Sequence, residues 1–521
     1  MTSPTTGGRH DRVFVLEVSG LTLDLLQPHL AQLPTFARFF GDGTWGELTG
    51  PLQPSVAPSF STLLTGCNPG RNGLYDFFRF PAGGYERIPY SARDLRRPTL
   101  FDMLSRAGKR VGVVNVPLTY PLPHLQGGFV VSGDDDAAHD FAWPEEVRSR
   151  LTREAYVVPF GASYSPGREK EFARHAAADL AMRRRAVRAL FEDRRWDLGM
   201  LTLYMYGELL HAFWKFHDPR HPDFRAAGEV FGGEDPIVAG LRELDELLAE
   251  LVQLAGPRAL VLVLGAWGHR MEHSRVQLNA VLEREGYLHF QRHPRARVKH
   301  ALYRLGVTAG AAERLAHRLN IYKHIHYGAS RASRSAVTGA TFLSYQDVDW
   351  ARTRAIAIGY LGQVYLNVRG HRPLGVIPPE RYEEEREHLR AVLTALRHPL
   401  TGAEMVERVF TRDEIYDGSE RTNAPDLVID WKEGFVGSGG FAEGRKVVTD
   451  SPPNHSSDHW RHSVMLASGA GVRAQRRDVN LEDVTPTILR ALGVDSAEQL
   501  DGRVVDLWAE RPGPSDRVAP P

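Results

Sequence analysis

The sequence predicts an α/β protein whose mostly parallel sheet is sandwiched between helices, with an inserted helical cap subdomain. Short, fully apolar runs indicate buried strands, and longer segments with helical spacing separate them. Hydrophobic residues make up 42% of the chain and charged residues 25%, which is typical of a globular protein and too apolar for a disordered one. In such a sheet, the functional crevice lies beyond the carboxyl ends of the strands.

The individual elements are predicted from apolar runs and from the glycine and proline residues that end or interrupt them. Gly108 is typical of a helix end, and the turn at 265–268 closes the apolar run before it. The predicted elements are a strand at 13–18, a helical stretch at 23–30 that Pro28 interrupts, a helix at 98–109, a strand at 110–116, a strand at 259–264, a helix at 276–285, and strands at 354–358, 426–430 and 463–467.

The domain organisation is predicted from changes in composition along the chain. Residues 291–335 contain ten Arg and Lys, five His and Glu313 as their one acid, in a helical pattern. This segment is either a solvated or subunit-facing helical surface, or a lid that binds anions such as phosphate, nucleotide or membrane headgroups. The predicted organisation is a disordered N-terminus at 1–11, an α/β core at 12–288 and 346–508, a basic helical cap at 289–345, and a disordered tail at 509–521.

Charge and cysteine content exclude several classes of protein. Lys and Arg together number 64, as do Asp and Glu, so a globally basic nucleic-acid-binding protein is excluded. Cys67 is the single cysteine, which excludes an intramolecular disulfide and a cysteine-based zinc cluster. No apolar signal-like segment opens the sequence and no run is long enough to span a bilayer, so we expect a cytoplasmic protein without a transmembrane segment.

Several stretches, which occur in one order and together cover about residues 12–508, resemble the type I phosphodiesterase/nucleotide pyrophosphatase branch of the alkaline phosphatase superfamily. They are 64–73 (LTGCNPGRNG), 98–121 (PTLFDMLSRAGKRVGVVNVPLTYP), 211–214 (HAFW) followed by 218–222 (DPRHP), 424–431 (APDLVIDW), and 482–489 (EDVTPTIL) with 501–503 (DGR). The resemblance implies an alkaline-phosphatase-like core. It also implies two metal ions, usually zinc, that move a phosphoryl group through a Thr, Ser or Cys nucleophile.

Most residues that this chemistry implies are replaced. At the metal-ligand positions, the resemblance aligns Ser19 and Gly207 with carboxylates, and Ala266 and Trp267 with an Asp-His pair. At the nucleophile position, ten residues before Gly66, stands Val56, and the adjacent Ser55 is a poor substitute because neighbours in an extended segment point in opposite directions. His211 and His459 are the two ligand positions that are kept.

Two rebuilt sites are consistent with the residues that remain. In the first, His211, His459 and Glu208 form a metal-free acid/base site, with Tyr204 or Tyr206 nearby; Glu208 and His211 share one helix face. In the second, His211 and His459 hold a single divalent metal, such as zinc, supported by the neighbouring cluster His455, Asp458 and His462. Packing aromatics, a core histidine and solvated loop residues are the structural alternatives.

Three further features have both a functional and a structural interpretation. Glu17 lies two residues before Ser19 on the same strand face, where it could stabilise a buried polar network. Residues 269–273 have the His-x-x-Glu-His form of an inverted zinc-protease motif, which needs a helix, or are loop polarity. Residues 132–136 form an acidic turn that is either a cation site or solvated.

These observations lead to three hypotheses. The leading one is a pseudoenzyme that needs no cofactor and whose crevice binds an anionic small molecule or a partner, either another copy or an active relative. The second is a repurposed enzyme that uses the His and Glu acid/base residues. The third is a residual phosphodiesterase with one displaced metal. Nucleic acid is not expected as a partner.

Overall fold

The computed structural model describes residues 10–79, 84–134, 140–158, 164–192, 194–318 and 341–508. The chain divides into two compact units. The first comprises Met1–Leu74, Ser91–Met271 and Pro453–Pro521, and the second Tyr75–Tyr90 and Glu272–Pro452. Within the described residues, no helix combines the length and apolar character needed to cross a membrane.

The described strands are short and mostly buried. In chain order they are β1 (Arg12–Val18), β2 (Thr44–Thr49), β3 (Phe78–Arg79), β4 (Ile88–Pro89), β5 (Val111–Val116), β6 (Phe129–Ser132), β7 (Ala142–Trp143), β8 (Leu198–Leu203), β9 (Ala259–Leu264), β10 (Gly268–Gln277), β11 (Ala355–Ile358), β12 (Gln363–Leu366), β13 (Val406–Thr411), β14 (Leu427–Trp431), β15 (Gly434–Ser438), β16 (Val448–Asp450), β17 (Ser457–Trp460), β18 (His462–Gly469), β19 (Gln475–Arg476) and β20 (Val479–Asn480).

The described α-helices alternate with these strands. They are α1 (Leu23–Leu26), α2 (Pro34–Asp42), α3 (Val56–Thr65), α4 (Pro69–Asn72), α5 (Leu100–Arg106), α6 (Glu145–Arg153), α7 (Glu169–Glu192), α8 (Tyr204–His217), α9 (Ala227–Phe231), α10 (Pro236–Ala255), α11 (Leu278–Arg284), α12 (Pro294–Arg304), α13 (Ala309–Arg318), α14 (Tyr382–Thr394), α15 (Arg412–Ile415) and α16 (Val484–Ala491). Short 3₁₀ helices occupy Gln27–Gln32, Ala92–Asp94, Tyr345–Asp347, Pro379–Arg381, Arg421–Asn423 and Leu481–Asp483.

The first unit is built on a ten-stranded sheet with the order β19-β2-β18-β9-β1-β8-β5-β6-β7, in which β20 also pairs with β2. The five strands from β9 to β6 are mutually parallel, whereas β18 and β7 join them in antiparallel fashion. Strands β1 and β9 are almost wholly apolar because both faces of the sheet are covered by helices. The predicted α/β class with a mostly parallel sheet is thereby confirmed.

The second unit has its own sheets and core. An antiparallel sheet runs in the order β11-β12-β14-β13, and the 272–277 part of β10 lies between β15 and β16. Their buried side chains form a separate hydrophobic cluster. Each unit therefore has a hydrophobic core of its own among the described residues.

Two of the predicted helices differ from the observed ones at their ends. The helix predicted at 98–109 spans Leu100–Arg106, begins at a capping box of Thr99 and Asp102, and ends before Gly108, whose φ is +74°. The helix predicted at 276–285 begins only at Leu278, because the two residues before it still pair in β10.

The predicted domain limits coincide only partly with the described chain. Helices α12 and α13 lie within the expected cap at 289–345, while residues 319–340 lie outside the described residues. The expected disordered ends at 1–11 and 509–521 fall almost entirely outside them as well, and both stay predictions.

Candidate metal centre

The topology of the first unit gathers the predicted site positions at one sheet edge. Strands β1, β8 and β9 are parallel neighbours, so their carboxyl ends lie side by side. Ser19 follows β1, helix α8 follows β8 directly, and Trp267 follows β9. Backbone hydrogen bonds tie these ends together: Ser19 N–H donates to the carbonyl of Leu203 and Gly20 N–H to that of Trp267.

Three imidazoles converge beside this edge. His211 lies on α8, and His269 and His459 lie directly opposite each other in the antiparallel pair β10–β17. One ligand atom from each ring lies within 4.8 Å of the others. The Nε2 atoms of His211 and His459 are 3.2 Å apart. The two histidines that the resemblance singled out are therefore joined by a third.

Glycine at position 20 makes room for the third ring. Gly20 has φ +89°, and a Cβ there would lie 2.7 Å from Cδ2 of His269. A residue with a side chain would both strain the backbone and collide with the imidazole. Glycine at position 20 is therefore required for the His269 ring to lie where it does.

Hydrogen bonds to Ser457 orient two of the rings. Nδ1–H of His211 donates to the carbonyl oxygen of Ser457 at 2.7 Å. Nδ1 of His269 lies 2.9 Å from Oγ of Ser457, whose hydroxyl donates to the carbonyl of Leu210. Because that hydroxyl proton is already used, His269 must be the donor in its contact with Ser457. Both rings, when neutral, therefore carry their lone pair on Nε2.

Two of the three rings favour the neutral form. Desolvation and then the neighbouring imidazoles hold the pKa of His269 and of His459 well below the ordinary value. Neutral imidazole is the form that binds metals.

Within the described residues, the positions expected to be degenerate do not belong to any group of clustered His, Cys, Asp or Glu side chains. Trp267 is 3% exposed, and its indole packs 4.8 Å from the ring of His459 and 5.9 Å from that of Phe60, between centroids. The Ser19 hydroxyl donates to the carboxylate of Glu17, and the Ala266 N–H donates to the same group at 3.0 Å. Glu17 serves a buried polar network, and its burial raises its pKa to about 8.

The nucleophile position lies at the start of α3. Val56 is the first residue of that helix, and Ser55 precedes it as an N-cap whose side chain makes no capping bond. The extended segment expected around Ser55 is therefore a helix start. The hydroxyl of Ser55 is buried and has no hydrogen-bond partner within the described residues.

The other predicted acid/base residues are less central. Gly207 packs against Ser19, and the half-buried Glu208 on α8 is not among the three clustered donors. Tyr204 packs 6.4 Å from the Trp267 ring, measured between centroids. Tyr206 donates its hydroxyl to the carbonyl of Ile237.

The polar residues of the segment 455–462, which surrounds His459, make different contacts. The ring centroid of His455 lies 4.8 Å from that of His211, and the carboxylate of Asp458 accepts the N–H of His459. His462 instead pairs with Glu47 at 2.6 Å. Only His459 of this segment belongs to the three-imidazole cluster.

The motif at 269–273 is not on a helix. These residues lie in β10, and Glu272 is fully buried, pairing with Arg275 and accepting a hydrogen bond from Ser451. The sequence motif therefore grouped His269 with the wrong partners, Glu272 and His273. No local spacing signals its true neighbours, because β10–β17 pairing joins segments far apart in the sequence.

Asp134 is the acid of the 132–136 turn that lies within the described residues. The carboxylate of Asp134 accepts N–H bonds from Leu118, Thr119 and Tyr120 at 2.8–3.0 Å. Its oxygens therefore stabilise the loop 118–120, and the rest of the turn, 135–136, lies outside the described residues.

Several solved structures are similar to this chain, and the first two show its fold. A phosphonoacetate hydrolase from Sinorhizobium meliloti 1021, in complex with phosphonoformate, aligns with a TM-score of 0.56 at 16% identity, over 93% of this chain and 96% of that one. The same hydrolase with phosphonoacetate aligns with a TM-score of 0.56 at 15% identity and the same coverage. Human ectonucleotide pyrophosphatase / phosphodiesterase 5 gives a TM-score of 0.48 at 12% identity, over 94% and 97%.

At the level of sequence, no curated protein matches the chain. The family model for type I phosphodiesterase / nucleotide pyrophosphatase matches residues 13–463. Members of this family are normally metal-dependent. The chain belongs to the type I phosphodiesterase / nucleotide pyrophosphatase family of the alkaline phosphatase superfamily.

Proposed function

We propose that this chain is a non-hydrolytic member of its family, a pseudoenzyme whose crevice binds a small anionic ligand or docks a partner. The observation that carries the proposal is the indole of Trp267, which packs against His459 where the resemblance implies a metal-binding imidazole. An indole offers no lone pair to a metal and occupies the space of an ion. Without a second dication, phosphoryl transfer loses the charge that stabilises its attacking and leaving oxygens.

The nucleophile position supports the same conclusion. Val56 has no atom that can attack phosphorus, and no covalent phosphoryl intermediate can form on it. Ser55 would have to act as the nucleophile instead. Its hydroxyl has no hydrogen-bond partner within the described residues, so no general base activates it there. The replaced residues therefore include both metal-ligand positions and the nucleophile position.

Two buried donors favour an anionic ligand. Ser55 Oγ and Trp267 Nε1 are both buried without a hydrogen-bond partner in the described part of the chain. Ser55 lies at the N-terminus of α3, where free backbone N–H groups and the helix dipole favour negative charge. A ligand oxygen would relieve the cost of leaving such donors unpaired.

A second candidate is a repurposed enzyme in which His211 and His459 act as an acid/base pair. It is favoured by the 3.2 Å contact between their Nε2 atoms, which allows one proton to be shared. Glu208, the third residue of that prediction, would have to reach the pair from its own position on α8. The third hypothesis, a residual phosphodiesterase with one displaced metal, is tested by the same hydrolysis assay.

The test is a hydrolysis assay on the purified full chain. Bis-p-nitrophenyl phosphate, p-nitrophenyl phosphate and phosphonoacetate are incubated with the chain and Zn²⁺ or Mn²⁺. We expect no turnover above buffer, together with a thermal shift when phosphate or phosphonoacetate is added. Metal-dependent turnover that is lost in a His211→Ala variant would overturn the proposal. Equal turnover in that variant would identify a contaminant and leave the chain non-hydrolytic.

A further inference from the structure

We infer that His211, His269 and His459 form a mononuclear binding site for a borderline divalent cation such as Zn²⁺ or Co²⁺, with a fourth position open to a small anion. His269 is the new element, since it is not one of the ligand positions that the family resemblance implies. The inference does not depend on the proposed function, because a chain with this site could be hydrolytic or not.

The first argument is the direction of the lone pairs. The Nδ1 atoms of His211 and His269 donate to the carbonyl and the hydroxyl of Ser457. When neutral, each of these two rings therefore carries its lone pair on Nε2. The Nε2 atom of His269, a residue 2% exposed, has no hydrogen-bond partner within the described residues. One dication would satisfy it together with the other two nitrogens.

The second argument is the spacing. Two nitrogens bound to one tetrahedral zinc at about 2.0–2.1 Å lie about 3.3 Å from each other. The Nε2 atoms of His211 and His459 are 3.2 Å apart. All three ligand atoms lie within 4.8 Å of one another, so the widest pair has to close by at most about 1.5 Å. Small rotations of the imidazoles accomplish a change of that size.

The third argument is the chemistry of the donor set. Three imidazoles without a carboxylate or thiolate suit zinc, cobalt, nickel or copper and do not suit magnesium or calcium. Three neutral ligands leave the full double positive charge on the ion. A small anion in the fourth position would offset that charge, as the three-histidine class of zinc sites allows.

The two-metal arrangement of the family, by contrast, does not fit these residues. Ala266 and Trp267 offer no ligand atom, and Ser19 uses its hydroxyl to contact Glu17. The donor at His269 also compensates for the carboxylate missing at Gly207. The geometry thus supports one metal ion where the family resemblance implies two.

The test measures metal binding rather than activity. The full chain is stripped with a chelator and titrated with Zn²⁺ by calorimetry, and with Co²⁺ while the visible spectrum is followed. We expect one equivalent of either ion, intense d–d bands of a four-coordinate Co²⁺ complex, and a change in those bands when azide is added. Less than one-fifth of an equivalent, or bands typical of hydrated Co²⁺, would overturn the inference.

Variants identify the ligands. His269→Ala should weaken Zn²⁺ binding by more than about 100-fold, and Ser457→Ala, which removes the oxygen that orients His269, by about 10–100-fold. His462→Ala is the matched control and should keep the wild-type affinity, because His462 pairs with Glu47. Unchanged affinity in a folded His269→Ala variant would contradict the assignment. If that variant does not fold, unchanged Zn²⁺ affinity in a folded Ser457→Ala variant would contradict the assignment instead.

Discussion

His269 and His459 face each other across two antiparallel strands, with ring centroids 5.3 Å apart. Directly opposed residues of an antiparallel pair place their side chains on the same face of the sheet. Helix α8 adds His211, whose ring centroid lies 4.3 Å from that of His269. The cluster thus depends on two strands and one helix, all of them regular elements that hold side chains more rigidly than loops do.

The first prediction concerns the carboxylate that the family resemblance implies at position 207. In the His269→Ala background, Gly207→Asp should recover at least about tenfold of the Zn²⁺ affinity, because position 207 lies one helical turn before His211 and an Asp there restores a charged ligand. A Cβ at Gly207 would approach Cβ of Ser19 to 3.2 Å, which a small shift accommodates. Calorimetry checks the affinity.

Gly207→Asn is the control for that prediction. It introduces the same crowding against Ser19 without the negative charge. Equal Zn²⁺ affinities for the Asp and Asn variants would show that the carboxylate does not reach the cluster.

The second prediction concerns the indole. Trp267→Ala should lower the free energy of unfolding by about 3–5 kcal/mol, because it empties a buried volume between Phe60 and His459. Trp267→Phe should cost much less, since Nε1 of Trp267 makes no hydrogen bond within the described residues. Urea denaturation measures both. Equal losses for the two variants would mean that the indole nitrogen, rather than the ring volume, stabilises the chain.

The third prediction concerns the pH dependence of stability. Burial raises the pKa of Glu17 from an ordinary 4.5 to about 8, so the folded chain keeps a proton there that the unfolded chain releases. The stability contributed by protonated Glu17 is fully present below about pH 4.5 and is lost as the pH rises through about 8. Glu17→Gln should remove this dependence of the unfolding free energy on pH.

Denaturant unfolding between pH 5 and pH 8 tests this behaviour. The stability of Glu17→Gln relative to the wild type should rise with pH by an amount on the order of a few kcal/mol. Glu229→Gln, at an exposed glutamate, is the matched control and should follow the wild-type profile. Parallel profiles for wild type and Glu17→Gln would contradict the proton assignment.

The fourth prediction concerns the loop 118–120. Asp134→Ala should destabilise the chain by about 2–4 kcal/mol, because it leaves three backbone N–H donors without their carboxylate. Asp140→Ala, at an exposed acid that pairs with Arg148, should change the stability by less than about 1 kcal/mol. Thermal unfolding compares the two. A similar small loss for both variants would refute the role of Asp134.

The apolar runs were sufficient to predict the class of the fold. Strand β9 occupies the predicted residues 259–264, and β1 differs from its predicted range by a single residue. Burial on both faces of a parallel sheet demands continuous apolar sequence, which is a local signal. The spacing of family motifs pointed to His211 and His459 as ligand positions, which stays a prediction, and the structure places their Nε2 atoms 3.2 Å apart.

His269 could not be assigned in the same way. Its local pattern suggested a helical motif with Glu272 and His273, whereas long-range pairing of β10 with β17 sets it beside His459. The buried Ser457 that orients it gives no sequence signal at all. Periodicity along the chain reports which residues are buried. Which buried polar atoms meet depends on strand partners nearly two hundred residues away, and that choice is made by the packing of the whole unit.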